Sequence, residues 1–207
     1  MLASMTTLLS AAVAGGYAVG AFNVYNLEGV RAVVRAAAGQ RSPVMLQIHP
    51  SALQHGGAPL VALCVEAARG APVPVAVHLD HSASATDISI ALAAGVTSVM
   101  ADGSHLGYAE NVTFTHDMVT LAHARQAAVE AELGRLSGTE DGLSVPEYAA
   151  KLTDPGQAAA FVADTGIDAL AVCIGNVHGR YRGEPQLDFA RLAAIRQAVQ
   201  VPLVLHG

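Results

Sequence analysis

Nine histidines occur among the 207 residues, at positions 49, 55, 78, 81, 105, 116, 123, 178 and 206. Three of them close apolar runs. His81 ends Val-Ala-Val-His-Leu-Asp-His, His178 ends Ala-Val-Cys-Ile-Gly-Asn-Val-His, and His206 ends Val-Pro-Leu-Val-Leu-His. Three neutral imidazoles and one open position form the ligand set of a catalytic zinc. The alternative is three histidines that merely cap or solvate the ends of strands. Carboxylates stand at similar places: Asp80 beside His81, Asp102 after Ser98–Ala101, and Glu132 near the end of Ala128–Leu133. Asp80 reads as a group that moves a proton on a substrate oxygen, or as a cap or a carboxylate orienting His81. Neighbours in a regular strand point to opposite faces, so Asp80 and His81 share a site only where the strand bends or ends. The following Ser82-Ala83-Ser84 favours such a bend. Asp102 and Glu132 read as auxiliary metal ligands or as partners of Arg125 and Arg135. His78 reads as a hydrogen-bonded interior histidine. Gly179 and Gly207 each follow a candidate ligand and allow close backbone approach, while Arg180 and Arg182 suit a phosphate. The plainer reading makes these turn glycines and solvated arginines.

The elements that position these residues are legible as alternating runs. Strands are expected at Ala18–Val24, Pro43–Ile48, Val73–Leu79, Ser98–Ala101, Ala128–Leu133, Ala169–Ile174 and Pro202–His206. They are short and almost wholly apolar, as strands covered on both faces are. Ala-rich amphipathic helices are expected at Thr6–Ala14, Leu27–Ala38, Pro59–Arg69, Ala85–Ala94, Val112–Arg125, Pro155–Asp164 and Phe189–Val199. Gly39, Gly70, Gly95 and Gly166 are placed as their C-terminal caps. Such alternation predicts βαβ units and a parallel sheet. The first strand is followed by Val24-Tyr25-Asn26 and no G-x-G-x-x-G, which favours a (β/α) barrel over a doubly wound sheet. Functional side chains then belong at the C-terminal ends of strands. The longest irregular stretch, Gly134–Pro146, carries Glu140 and Asp141, and long loops are usually functional or mobile.

Composition narrows the class. The chain is 52% hydrophobic and 14% charged, which suits one soluble globular domain and excludes disorder. Eleven Lys and Arg against 17 Asp and Glu give a net charge of −6, opposite to what phosphate neutralisation by a nucleic-acid binder requires. Two cysteines make no disulfide framework. Residues 1–27 carry no charge but lack a basic n-region, and Gly15, Gly16 and Gly20 interrupt them. They are therefore read as neither signal peptide nor membrane span, and the protein is expected in the cytoplasm.

The motifs in order resemble those of the class II, zinc-dependent ketose-bisphosphate aldolases. They are Ala21-Phe22-Asn23-Val24, His78-Leu79-Asp80-His81, Asp102-Gly103-Ser104, Glu130-Ala131-Glu132-Leu133-Gly134, Thr139-Glu140-Asp141-Gly142, Gly175-Asn176-Val177-His178-Gly179 with Tyr181 following, and Leu205-His206-Gly207. The resemblance implies a (β/α)8 TIM barrel, usually a dimer or tetramer, acting on a phosphorylated sugar. It implies that His81, His178 and His206 hold Zn²⁺ and that Asp80 moves the proton on the oxygen of the aldehyde half. Glu140 would remove the C–H proton of dihydroxyacetone phosphate. Asp102 and Glu132 match an auxiliary metal position. Asn23, Gly179, Arg182 and Gly207 match the substrate and phosphate surround, where a monovalent cation, Na⁺ or K⁺, also assists. The implied reaction is reversible cleavage of fructose- or tagatose-1,6-bisphosphate. The sole lysine, Lys151, lies in a polar segment rather than at a strand end, so a Schiff-base route has no candidate residue.

Three departures from the family pattern stand out. Arg182 replaces a usual Lys, and His49 stands where a small hydroxyl residue or Gly is usual near the aldehyde pocket. Family members also continue past the final His-Gly into a phosphate loop, an eighth strand and further helices. Residues 1–207 are therefore read as a single barrel domain with about seven of the eight β units. The competing readings are a non-catalytic metal-binding barrel fragment and a related zinc aldolase acting on another phosphorylated keto-sugar.

Overall fold

The computed structural model describes residues 1–140, 143–146, 150–181 and 183–207. Seven strands form the main sheet: β1 (Gly20–Asn23), β2 (Val44–Ile48), β3 (Val75–Ser82), β4 (Ser98–Ala101), β5 (Ala128–Leu133), β8 (Ala169–Val172) and β10 (Leu203–Val204). They follow one another in chain order without reversal, as successive βαβ units do. A doubly wound sheet would reverse its order partway. Registers are parallel, for example Gly20 with Val44, Val44 with Val75, Glu130 with Ala169, and Leu170 with Leu203. β3, β4, β5 and β8 are buried along their whole length, which explains their continuous apolar runs.

Among the described residues, seven helices precede or connect the strands: α1 (Met5–Gly15), α2 (Leu27–Gln40), α3 (Pro50–Gly70), α4 (Ala85–Ala94), α5 (Tyr108–His123), α6 (Pro155–Thr165) and α7 (Phe189–Ala198). Local chemistry sets most ends. Asn26, Ser84 and Asp154 accept the amide protons of Gly29, Asp87 and Gln157, satisfying orphan first-turn donors. Gly95 and Gly166 close α4 and α6 in the left-handed conformation. Gly39 and Gly70 do not act as caps. Both remain helical, and α2 closes instead on Arg41 at φ +51° while α3 closes on extended Ala71. α3 also starts nine residues before the expected Pro59. A kink at Gly57 joins an upstream turn, begun at Pro50 and capped by His49, to the expected segment.

The chain divides into two compact units, Met1–Ala101 with Thr120–Val129, and Asp102–Val119 with Glu130–Gly207. The first packs Met5, Leu46, Ile48, Leu79, Ile88 and Met100 in its interior. The second packs Phe161, Leu136, Leu170, Ile174 and Ile195. It also holds a small sheet of β6 (Ser137–Glu140), β7 (Leu143–Val145) and β9 (Val177–His178), in the order β7-β6-β9. The stretch expected to be one irregular loop therefore contains two strands. Their antiparallel pairing sets Gly138 against Val145 and Thr139 against Ser144. Among the described residues, no helix is long and apolar enough to cross a membrane.

Candidate active site

In the first unit the decisive feature is a bulge in β3. Leu79 pairs with Val99, but Ser82 pairs with Ala101, so β3 spends one residue more than β4 over the same span. The irregularity centres on His81, whose φ is +40°. A side chain other than glycine in that region costs about 1–2 kcal/mol, and it re-aims the strand where it occurs. This is the bend that adjacent Asp80 and His81 need in order to serve one site. Both are buried, at 2% and 7% exposure. Two residues earlier, His78 is buried with Nδ1 2.8 Å from Ser98 Oγ. The same level of the sheet continues through Gln47 to Asn23, by the pairings of His78 with Gln47 and of Gln47 with Asn23. Asn23 is half-buried at the end of β1.

In the second unit His206 follows β10 by two residues. Its Nε2 lies 2.8 Å from Glu130 Oε1, and both side chains are buried. An acceptor on Nε2 sets that nitrogen as the N–H, leaving Nδ1 as the lone-pair atom. The His178 and His206 rings stand 6.0 Å apart between centroids, inclined at 66°. His178 lies beyond the end of its main-sheet strand, in a short strand of its own. β8 stops at Val172, the chain turns at Gly175 with φ +101°, and His178 lies in β9 beside β6. Asn176 makes that detour rigid. Its Oδ1 accepts the Ile174 amide at 2.9 Å, and its Nδ2 donates to the His206 carbonyl at 2.7 Å. β6 approaches β9 closely at Gly138, which pairs with His178. A β-carbon there would stand 2.0 Å from the His178 carbonyl oxygen.

Glu132 is buried and accepts the Leu136 amide at 3.3 Å, while Asn111 donates to its backbone carbonyl at 3.0 Å. Asp102, half-buried directly after β4, accepts the Ser104 amide at 3.0 Å in a local turn. Glu132 also reaches Cys173 electrostatically. That thiol is pushed up chiefly by burial, with the Glu132 charge adding to it, so it is no nucleophile at neutral pH. Gly179, at φ +81°, and Gly207 are exposed. Glu140 closes β6, its backbone paired with Leu143, and its side chain lies outside the described part. Arg182 lies outside the described residues. Lys151 pairs through its backbone with Arg135, two residues past the end of β5, so it lies nearer a strand end than its polar segment suggested.

Sequence reasoning gave no separate role to Glu130 and Asn176. Their signal was polarity inside buried runs, 2% and 5% exposed, which demands partners. Those partners lie 76 and 30 residues away, at His206.

The model of the family described as Fructose-bisphosphate aldolase class-II matches residues 3–207. Among solved structures, the chain is similar to a candidate fructose-1,6-biphosphate aldolase from Coccidioides immitis. The two are 42% identical with a TM-score of 0.93, over 98% of this chain and 72% of that one. It is similar to the YdjI aldolase from Escherichia coli K12, 39% identical with a TM-score of 0.89, over 100% of this chain and 73% of that one. A fructose-bisphosphate aldolase from Campylobacter jejuni, at 24% identity and a TM-score of 0.77 over 95% of this chain and 65% of that one, shares the fold.

Proposed function

The chain belongs to the class II fructose-bisphosphate aldolase family, and we propose that it catalyses reversible aldol cleavage of a ketose 1,6-bisphosphate. Fructose or tagatose 1,6-bisphosphate would yield dihydroxyacetone phosphate and glyceraldehyde 3-phosphate. The proposal assigns His81, His178 and His206 to a catalytic zinc. One observation carries it: His206, 6.0 Å from the His178 ring, is held through Nε2 by buried Glu130. A carboxylate behind an imidazole is how proteins orient a metal ligand and set its tautomer. Asp102 and Glu132 supply carboxylates whose chemistry suits an auxiliary metal position. When bound, zinc acts as a Lewis acid that polarises ketone and hydroxyl oxygens.

The chain's own residues move the protons. In cleavage, Asp80 accepts the proton of the hydroxyl that becomes the aldehyde oxygen, and in condensation it returns that proton. Glu140 removes the C–H proton of dihydroxyacetone phosphate in condensation and returns it in cleavage. Asn23, Gly179, Arg182 and Gly207 hold substrate and phosphate, with a monovalent cation beside them. The same proposal takes the fold as a (β/α)8 barrel of which this chain holds seven β units. It takes the chain as one domain that assembles as a dimer or tetramer in the cytoplasm.

Chelation tests the reading. Activity is expected to vanish with zinc and return on its addition, and borohydride with substrate is expected to trap nothing. Full activity in zinc-free protein would overturn it. His81→Ala is expected to lose zinc, whereas Asp80→Ala keeps zinc and loses turnover. Equal zinc loss in both would reverse the two roles.

A further inference from the structure

The second unit carries a cavity of about 200 Å³ just beyond the end of β5, between the first turns of α5 and α6. Leu106, Tyr108, Leu133 and Leu152 form its apolar wall, and Lys151 and Asp154 supply its charges. Leu106, Tyr108 and Leu152 are exposed there. Exposed apolar side chains that cluster, rather than scatter, mark binding grooves.

The walls are fixed. The Tyr108 ring packs edge-on against buried Phe161, 6.2 Å between centroids. Thr153 lies between the two charged residues in the chain and is fully buried. Its Oγ1 donates to the Leu133 carbonyl and accepts the Cys173 amide at 2.8 Å. Arg191 Nη1 donates to the Thr153 carbonyl at 2.9 Å. The segment that presents Lys151 and Asp154 is thus tied to β5 and to α7.

Charge and size decide what fits. Lys151 and Asp154 stand three residues apart, yet among the described residues neither side chain is in an ion pair. Asp154 spends Oδ1 on the Gln157 amide at 2.8 Å, as the cap of α6, and keeps Oδ2 as an acceptor. A lone cation would select an anion, and a lone carboxylate a cation. The two together beside an apolar wall match a molecule with both charges at one end and an apolar group at the other. The volume lies below the range of about 300–1,000 Å³ that drug-sized ligands occupy, which is too small for a nucleotide.

We infer that this cavity binds a free α-amino acid with an apolar side chain, of the size of leucine or phenylalanine. Lys151 takes the carboxylate and Asp154 Oδ2 takes the ammonium, while the side chain lies against Leu106, Tyr108, Leu133 and Leu152. Binding here is independent of the aldolase reading, since no residue assigned above to metal, proton transfer or phosphate lines the cavity.

The experiment titrates L-leucine and L-phenylalanine into the folded protein by calorimetry, with amide shifts followed at Leu133 and Leu152. Saturable binding is expected. Isocaproate and isoamylamine, which each lack one of leucine's charges, are expected to bind about tenfold more weakly. Lys151→Gln removes the cation, and Asp154→Asn removes the negative charge but keeps a preferred helix cap. Each is expected to weaken leucine about tenfold. Asp154→Asn should not weaken isocaproate, and Lys151→Gln should not weaken isoamylamine, a split that general loosening of the fold does not produce. The inference is overturned if neither amino acid binds saturably, if leucine binding survives both substitutions, or if isocaproate binds as tightly as leucine.

Discussion

Glu130→Gln isolates the electrostatic support of one proposed metal ligand. The substitution keeps shape and leaves a carbonyl oxygen that still accepts from His206 Nε2, but it removes the charge from a buried contact of 2.8 Å. A hydrogen bond to a charged group contributes about 1.5–3 kcal/mol, against about 0.5–1.5 kcal/mol for a neutral one. The difference, about 1–1.5 kcal/mol, is roughly a tenfold weakening of zinc affinity. Glu130→Ala removes the acceptor as well and belongs to the larger losses, about 10–100-fold, seen when support behind a ligand is deleted. The assay is competition for zinc against a chromophoric chelator at fixed pH, with thermal unfolding recorded with and without metal. The expected order of affinity is wild type, then Gln, then Ala. Folded variants that bind zinc as tightly as wild type would refute the reasoning, because His206 would then not be a ligand supported by Glu130.

Other expectations follow from the same geometry. Gly138→Ala would place a β-carbon 2.0 Å from the His178 carbonyl at φ +118°, so a loss of about 2 kcal/mol or more is expected in denaturant unfolding. Gly183→Ala, whose β-carbon meets nothing within 4 Å, serves as the control and should stay within about 0.5 kcal/mol. Asp188 caps α7, and the Arg191 backbone N–H holds its carboxyl below the ordinary value. Its folded value lies below its unfolded one, so its contribution is present above the unfolded value and is lost as pH falls through the folded value. Asp188→Asn keeps the cap and should flatten that acid-side part of the Tm profile. Burial pushes the Cys64 thiol up to about 12, and Cys173 is also buried. Thiol reagents should therefore label the protein only at the rate at which denaturant unfolds it.

Local signals carried most of the architecture. Ser98–Ala101, Ala128–Leu133 and Ala85–Ala94 have the same bounds in the sequence reading and in the structure, because apolar continuity and caps such as Ser84 are short-range. Long-range pairing was not legible. The apolar run Ala169–Ile174 leads on to His178, and nothing local shows that β9 pairs with Ser137 and Gly138 some 40 residues upstream. Polarity in Gly134–Pro146 read as a loop, although β6 and β7 pair through backbone groups that a composition argument does not see. At Asp80 and His81 the need for a bend was readable from strand alternation. The positive φ at His81 was not, since an imidazole does not announce a left-handed backbone. Glu130 and Asn176 were quoted only as parts of motifs, because the partner that explains each of them, His206, is supplied by folding alone.

The β3 bulge places two selective pressures in opposition. Deleting one residue between Leu79 and Ser82 would restore regular pairing with β4 and relieve the strained backbone at His81. Replacing His81 by glycine would relieve the strain alone. A library of this chain selected only for heat resistance should therefore drift toward both changes, while one selected for turnover should reject them. That divergence makes three or four residues of one strand a reporter of whether a parallel sheet of this kind is being kept as a scaffold or for its chemistry.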